Sequence, residues 1–241
     1  MRLLNAVKNI FRAPPPAHPS FARNHALFKE VDQDRPINDY DFVVVDTELT
    51  GLSQRHDEIV AIGAVRISGM HIMAGHTFYT LVKPAVKIDA TSATFIHQIT
   101  PQELAVAPEI AEALPPLVDF CGSAFMVGHY VDLDSRFLNR AAQSHFQTSL
   151  RTPCLDTMRL AQIYAERLWG RHNEQYNLQV SYNLTDLCKE YKLPLFPAHN
   201  ALQDAMQTAY LFVFLVKQLQ GQGLVTLKDF FQAGQSWNRI I

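Results

Sequence analysis

Two carboxylates stand two residues apart at the end of a short apolar run. Asp46 and Glu48 follow residues 42–45, a stretch rich in β-branched residues that predicts a buried strand. Because side chains alternate along a strand, both carboxylates point to the same side. Carboxylates on one face repel each other unless a cation lies between them. Such a pair often marks only a solvated strand end, but in α/β proteins ligands collect beyond strand ends.

A second acidic group follows another apolar strand, within residues 128–138. Either Asp132 or Asp134 is the carboxylate that points inward from the helix that begins here. Asp134 has Phe137 and Leu138 three and four positions later, so an apolar anchor lies one turn above it on the same helix face. Asp132 has a serine and an arginine at those positions, which suit a face in solvent. We therefore predict that Asp134 points inward and that Asp132 starts the helix.

A histidine and a third acidic position open the long helix predicted over residues 200–219. His199 follows two prolines, and Asp204 lies about a turn and a half further along. Taken singly, His199 would be a surface or capping histidine and Asp204 a carboxylate on a helix face. Neutral imidazole accepts a proton near physiological pH, so a histidine near carboxylates suits acid–base chemistry.

The elements that must position these groups alternate between strand and helix after three closely connected strands. Pro115 and Pro116 must kink or divide one of the helices. This order of elements indicates a mixed sheet with flanking helices, which is an α/β fold. Periodicity predicts strands at 42–45, 58–67, 71–82 and 124–127, and helices at 109–120, 133–142, 155–168, 184–191 and 200–219.

Composition bounds the class of protein. The chain has 241 residues, 48% of them hydrophobic and 18% charged, which excludes an intrinsically disordered chain. The formal net charge of −2 argues against tight, sequence-blind binding to duplex nucleic acid. The three cysteines are too widely spaced for a disulfide framework or a zinc site. The longest apolar run is short of a membrane span, and no secretory signal is visible, so we expect a cytoplasmic protein.

The N-terminal residues differ in character from the rest. Residues 1–29 contain five basic residues and no acidic one, and residues 3–11 have helical apolar spacing before a proline-rich stretch. We predict a basic amphipathic arm with a proline-rich spacer over residues 1–37, and one folded domain with a C-terminal helical tail over residues 38–241. The arm either docks a partner or an anionic surface, or it packs back on its own domain.

Taken together, the three groups resemble the DEDDh 3′–5′ exonucleases. The sequence reads D-T-E-L-T-G from Asp46, H-Y-V-D-L-D-S-R-F-L from His129 and H-N-A-L-Q-D from His199. The resemblance covers about residues 41–215, including residues 59–65 and 93–100. This family includes the proofreading ε subunit of bacterial DNA polymerase III, oligoribonuclease and RNase T. The resemblance implies a ribonuclease H-like fold, a mixed β-sheet flanked by α-helices.

The resemblance also implies a catalytic mechanism. Asp46, Glu48, Asp134 and Asp204 would hold two divalent cations, Mg²⁺ or Mn²⁺, and His199 would be the general base. Two cations about 4 Å apart can stabilise both the attacking and the leaving oxygen of an in-line displacement. Such hard cations prefer carboxylate oxygens and water. Four negative and four positive charges leave a loaded site near neutral, which can then accept a phosphate.

Further residues would hold the terminal nucleotide by the same resemblance. Leu49 and its backbone lie where the family contacts the terminal sugar, and Ile96 and His97 match a segment that lines the nucleotide pocket. Ile96 could instead belong to the core, and His97 and His129 could be structural histidines. The complete set implied for substrate binding is Thr47, Leu49, Thr50, Ile96, His97 and His129.

The sequence departs from the family pattern at several positions. Leu49 stands where many members have Thr, Tyr130 where they have Asn, and Ala61 where Glu is usual. The last departure puts one polar contact around the site in doubt, but no metal ligand is lost. Residues 169–182 form an additional segment, which we interpret as a variable surface insertion.

These observations predict a metal-dependent 3′–5′ exonuclease of the polymerase III ε type, which releases nucleoside monophosphates from DNA 3′ ends. An exoribonuclease on short RNA keeps the same chemistry, and an inactive module that binds nucleic acid or a polymerase is a third hypothesis. The four acids and the histidine argue against such a module, which has no need to gather repelling carboxylates. The expected partners are a nucleic acid 3′ end, DNA rather than RNA, and a polymerase or other protein at the N-terminal arm.

Overall fold

A mixed β-sheet forms the central layer of the protein. In this computed structural model, residues 18–85, 99–169 and 181–234 are described. In space the strands run in the order β3-β2-β1-β4-β5, with β1–β2 and β2–β3 antiparallel and β1–β4 and β4–β5 parallel. The strands are β1 (Phe42–Leu49), β2 (Ile59–Ser68), β3 (His71–Leu81), β4 (Phe125–Gly128) and β5 (Cys154–Asp156).

Helices cover both faces of the sheet. One hydrophobic cluster joins Phe42 and Val44 to α5, α7 and α8, and the other joins Val43 and Val45 to α3 and α4. Because β1 is central and covered on both faces, residues 42–45 are apolar without alternation. The predicted α/β fold is confirmed. The helices are α1 (Pro19–Leu27), α2 (Pro101–Ala105), α3 (Ile110–Cys121), α4 (Val131–Phe146), α5 (Thr157–Trp169), α6 (Leu184–Glu190), α7 (Ala201–Gln220) and α8 (Leu227–Gly234).

Two elements differ from their predicted form. The helix α3 is not divided at Pro115 and Pro116, because its long apolar face, including Leu114 and Leu117, is buried against the sheet and offsets the lost backbone hydrogen bonds. The short strand β5 occupies residues that the periodicity assigned to a helix. Three residues are too few for a periodic signal. Asp156 ends this strand and also caps α5, because its Oδ1 accepts a hydrogen bond from the backbone N–H of Met158 at 2.9 Å.

Residues 18–37, which the sequence assigned to the arm, pack on the domain. Phe21 in α1 is fully buried, and the Ser20 hydroxyl donates to the Asp119 carboxylate at 2.9 Å. Ile37 is also fully buried, and its backbone N–H donates to the carbonyl of Val225. The folded part of the chain therefore begins before residue 38, because these side chains complete the core. The amphipathic helix predicted over residues 3–11 lies outside the described residues.

Two smaller expectations concern cysteines and membranes. The three cysteines, all within the described ranges, form no disulfide with one another, and burial raises the pKa of Cys121 to about 12. This agrees with their interpretation as small core residues rather than reactive groups. Among the helices of the described ranges, none combines the length and apolar character needed to cross a bilayer.

Candidate active site

Three carboxylates meet on the α7 face of the sheet, at the end of β1. Oxygens of Asp46, Glu48 and Asp204 all lie within 4.8 Å of one another. Asp46 and Glu48 share this face because they are two residues apart on one strand. Asp204 reaches them from the first turn of α7. The structure thus brings together the first and third acidic groups of the sequence.

A glycine in β2 allows α7 to begin this close to the carboxylates. Gly63 pairs with Asp46 in the antiparallel register, and a Cβ at Gly63 would lie 2.2 Å from the carbonyl carbon of Ala201. No residue with a side chain fits there without moving α7. Sequence reasoning did not assign this role to Gly63. The available signal was an isolated glycine inside a strand, which often marks a close backbone approach.

Asp134 reaches the same end of β1 from the opposite face of the sheet. Its Oδ1 accepts hydrogen bonds from the backbone N–H of Thr47 at 2.9 Å and from the Thr47 hydroxyl at 2.5 Å. Asp134 is 6% exposed, whereas Asp132 is exposed to solvent. This placement agrees with the argument from the apolar anchor. The four carboxylates therefore surround the strand end from both faces.

Burial, together with repulsion from neighbouring carboxylates, raises the pKa values of Asp46, Asp134 and Asp204. The pKa of Asp46 lies well above its ordinary value because the carboxyl is buried and because Asp134, Asp204 and Glu48 add negative charge. Burial raises the pKa of Asp134 to about 7. Burial and the charge of Glu48 also raise the pKa of Asp204. Without a cation the cluster is thus electrostatically unfavourable, and its hard oxygen donors suit a divalent metal ion.

His199 is exposed beside this cluster. Its backbone lies in the left-handed region with φ of 66°, which histidine tolerates better than most residues. The backbone N–H of His199 donates to Asp204 Oδ2 at 2.9 Å, and Asn200 caps α7 by accepting from the N–H of Gln203. The position of the histidine is thereby linked to the position of the carboxylate.

Several residues implied for substrate binding have structural partners instead. The Thr50 hydroxyl donates to Asp57 at 2.9 Å and closes the turn between β1 and β2, and Leu49 is 7% exposed in the core. The Thr47 hydroxyl is occupied by Asp134, so Thr47 positions a carboxylate. Whether the backbone at Leu49 also contacts a sugar stays a prediction. Ile96 and His97 lie outside the described residues.

His129 is held at both ring nitrogens. Nδ1 lies 2.9 Å from the Thr157 hydroxyl and Nε2 lies 2.8 Å from the carbonyl of Tyr182. Burial lowers the pKa of His129 to about 4, so the ring is neutral at physiological pH. The geometry favours the structural alternative for this histidine over direct contact with a nucleotide.

Asp134 and Asp132 should differ sharply in their effect on hydrolysis. We expect Asp134→Asn to remove nearly all activity, because a buried carboxylate of the cluster is neutralised, and Asp132→Asn to retain most of it. Steady-state rates on a labelled single strand test this order. The reverse order would show that the second motif is placed two residues out of register.

The stability of the metal-free protein should depend on the ionisation of Asp134. The carboxyl ionises near pH 4 in the unfolded chain and near pH 7 in the folded one, so its contribution to stability is complete below pH 4 and is lost as the pH rises through 7. The stability advantage of Asp134→Asn over the wild type in chelator should be small at pH 5 and clearly larger at pH 8. Thermal unfolding of both proteins at both pH values measures the difference. If the difference in melting temperature between the two proteins were the same at both pH values, the raised pKa of the buried Asp134 would be contradicted.

A carboxylate cluster at the end of the central strand of a mixed sheet is typical of metal-dependent hydrolases that act on phosphodiesters. The exonuclease family (RNase_T) matches residues 43–212. This chain belongs to that family, and its recognition from the three motifs is confirmed.

Sequence relatives carry polymerase names. The chain is 30% identical over 178 residues to the DNA polymerase III subunit epsilon of Aquifex aeolicus, covering 74% of this chain and 81% of the relative. It is 30% identical over 203 residues to a PolC-type DNA polymerase III of Thermotoga maritima, covering 84% of this chain and 14% of the relative. The chain thus spans only a small part of such PolC-type relatives.

Solved structures share the fold. Escherichia coli Exonuclease I in complex with a dT13 oligonucleotide has a TM-score of 0.62 at 16% identity, covering 76% of this chain and 42% of that one. Cell-death related nuclease 4 has a TM-score of 0.61 at 13% identity, covering 77% of this chain and 66% of that one. At these identities the likeness shows the fold, and the predicted ribonuclease H-like architecture is confirmed.

Proposed function

We propose that this chain is a divalent-metal-dependent 3′–5′ exonuclease that releases nucleoside monophosphates from DNA 3′ ends. The observation that carries the proposal is the convergence of four carboxylates around the end of β1, those of Asp46, Glu48, Asp134 and Asp204. The backbone N–H of His199 is hydrogen-bonded to Asp204 beside them. A binding module would gain nothing from gathering four carboxylates, which repel one another when no cation is bound. Family membership supports the nuclease activity.

The four carboxylates are the residues that would hold metal. We propose two Mg²⁺ or Mn²⁺ ions, because four negative charges balance two divalent cations. When bound, the ions would supply positive charge for the attacking and leaving oxygens of the phosphodiester. Thr47 contributes by donating two hydrogen bonds to Asp134, which fix this carboxylate against the strand end.

His199 would take the proton from the attacking water. Its side chain is exposed at the edge of the cluster, so a proton accepted by the imidazole can pass on to solvent. The hydrogen bond from its backbone to Asp204 Oδ2 keeps the histidine close to the carboxylates while the side chain stays available. In this proposal Asp204 both binds metal and orients the general base.

DNA is the favoured substrate. The names of the relatives, DNA polymerase III subunit epsilon and PolC-type DNA polymerase III, support DNA over RNA. The net charge of −2 suggests a short contact at the 3′ end rather than a long basic track. Arg23, one of the five basic residues near the N-terminus, is paired with Asp119 at 2.6 Å and adds little to such a track. A polymerase partner for the N-terminal arm and a cytoplasmic location stay predictions.

The direct test compares labelled linear DNA, linear RNA of the same sequence and circular single-stranded DNA, each with Mg²⁺ and with chelator. We expect monophosphates from linear DNA with Mg²⁺, little from RNA and none from the circle. His199→Ala should lower the rate strongly with Mg²⁺ present. Faster cleavage of RNA would favour the exoribonuclease hypothesis, and equal rates in chelator would contradict metal dependence.

A further inference from the structure

Two aromatic side chains near the acidic cluster are exposed without an evident structural reason. Among the Phe and Tyr residues of the described ranges, only Tyr79 and Tyr130 are largely exposed, at 45% and 48%. Tyr79 belongs to β3 on one side of β1, and Tyr130 follows β4 on the other side. The two tyrosines therefore flank the strand end that bears the carboxylates.

Tyr79 lies on the same face of the sheet as the cluster. Gly63 pairs with Asp46 on one side and with Tyr79 on the other, and directly opposed residues of antiparallel strands share a face. Since Gly63 has no side chain, only the start of α7 separates the two. Tyr79 lines a groove of about 230 Å³ with His199 and Gln203.

The surroundings of Tyr79 favour an uncharged ligand group. Burial raises the pKa of Tyr79, and the negative charges of Glu103 and Glu48 near its phenol raise it further. A phosphate would be repelled there, whereas the flat face of a neutral base would not. Stacking on aromatic rings tolerates every base, since each has a π-face.

Tyr130 occupies a backbone conformation that does not suit its side chain. Its φ is 59°, in the left-handed region that Asn and Gly adopt readily and bulky residues rarely do. The backbone N–H donates to Asp156 Oδ1 at 3.1 Å, which holds this conformation. Because the ring is about half exposed, core packing does not account for a tyrosine here. A local conflict of this kind is expected at functional positions.

The ring of Tyr130 is also held in one orientation. It packs edge to face on His129, with ring centroids 4.9 Å apart and an interplanar angle of 79°. His129 is itself held at both nitrogens, so the support for Tyr130 is rigid. Tyr130 precedes Asp134 by one helical turn. Because this ring is already ordered and exposed, little conformational entropy is lost when it binds a flat partner.

We propose that Tyr79 and Tyr130 are stacking platforms for bases of a single strand on either side of the carboxylate cluster. This inference rests on the proposed exonuclease function and adds a base-binding subsite to it. Stacking at two points explains how a protein with net negative charge grips a strand end. The subsite is tolerant of base identity, as digestion of arbitrary DNA requires.

The first test uses Tyr130→Asn, which relieves the backbone and removes the ring. We expect unchanged or raised thermal stability together with a KM about tenfold higher and a small change in kcat. The matched control is Gln147→Asn, because Gln147 is exposed, has φ of 53° and ends the same helix. That control should keep the wild-type KM. Unchanged KM in Tyr130→Asn would overturn the proposal.

The second test separates the ring from the hydroxyl. Tyr130→Phe and Tyr79→Phe should keep KM within about twofold, whereas Tyr79→Thr, which suits a strand but lacks the ring, should raise it about tenfold. Combining Tyr79→Thr with Tyr130→Asn should multiply the two effects, because the sites lie on opposite sides of the cluster. If KM rose as much in the Phe variants as in Tyr79→Thr and Tyr130→Asn, the contact would belong to the hydroxyls, and stacking would be contradicted.

A binding measurement distinguishes failure of this inference from failure of the proposed function. In an Asp46→Asn background that cannot cleave, a strand with 2-aminopurine near its 3′ end should lose fluorescence on binding, and the two tyrosine substitutions should restore it. If the wild type hydrolyses DNA but its tyrosines leave this signal unchanged, only the stacking proposal fails. If no nucleic acid is cleaved with Mg²⁺, the proposed function fails first.

Discussion

Replacing Asp46 or Asp204 by asparagine should lower the rate of DNA hydrolysis at least about a thousandfold, because metal-ion catalysis contributes several kcal/mol to such reactions. Both carboxylates lie within 4.8 Å of their neighbours in the cluster, and asparagine preserves their shape while removing the charge. The fold should survive and gain stability in chelator, because asparagine removes the buried charge and the repulsion that together raise the pKa of Asp46. Single-turnover rates with excess Mg²⁺, together with thermal unfolding in chelator, measure both effects.

A matched control for this loss is Glu112→Gln, which neutralises an exposed acid on α3 away from the cluster. It should keep the wild-type rate and the wild-type stability in chelator. Mg²⁺ should raise the melting temperature of the wild type but have little effect on Asp46→Asn. Full activity in either cluster variant would contradict the carboxylate site.

Gly63→Ala should lower activity by on the order of a hundredfold, because displacing catalytic groups by about 1 Å can have that effect. The added Cβ would lie 2.2 Å from the carbonyl carbon of Ala201 and 2.3 Å from the backbone nitrogen of Leu202. These are backbone atoms, so α7 must move, and His199 and Asp204 move with it. We also expect a loss of about 1–3 kcal/mol in the free energy of unfolding, as for other overpacked sites.

The same substitution at another strand glycine isolates the effect of the close approach. Gly75→Ala in β3 adds a Cβ with nothing within 4 Å, so both stability and rate should stay near wild type. Urea denaturation and initial rates on a labelled strand compare the two variants. If Gly63→Ala kept normal kinetics, α7 would not need its contact with β2 to position the catalytic groups.

The sequence was most informative where local periodicity carries the signal. The unbroken apolar run at 42–45 predicted a buried strand, and the two-residue spacing placed Asp46 and Glu48 on one face. The apolar anchor at Phe137 predicted that Asp134 points inward, and Asp134 is buried. These predictions depend on alternation and helical repeat, which a chain encodes over a few neighbouring residues.

The same reasoning could not assign partners that are distant in sequence. Thr47 was expected to contact substrate, but its hydroxyl and N–H are bonded to Asp134, 87 residues later. The partners of His129 lie 28 and 53 residues away, and they favour the structural alternative for this histidine. Polar side chains look alike in a sequence whether they bind a ligand or a neighbour, because only burial and geometry separate the two roles.

By itself the sequence determined the fold class and the family and predicted the acidic residues of the proposed site, because strand alternation, helical repeat and motif spacing are local properties of the chain. The tertiary structure decided how those acids meet: Asp204 approaches over Gly63 on one face, and Asp134 is held by Thr47 on the other. It also decided that Tyr79 and Tyr130 stay exposed while the other Phe and Tyr side chains of the described residues are wholly or partly buried. These outcomes depend on packing between distant segments, where the space left by one residue sets the position of another.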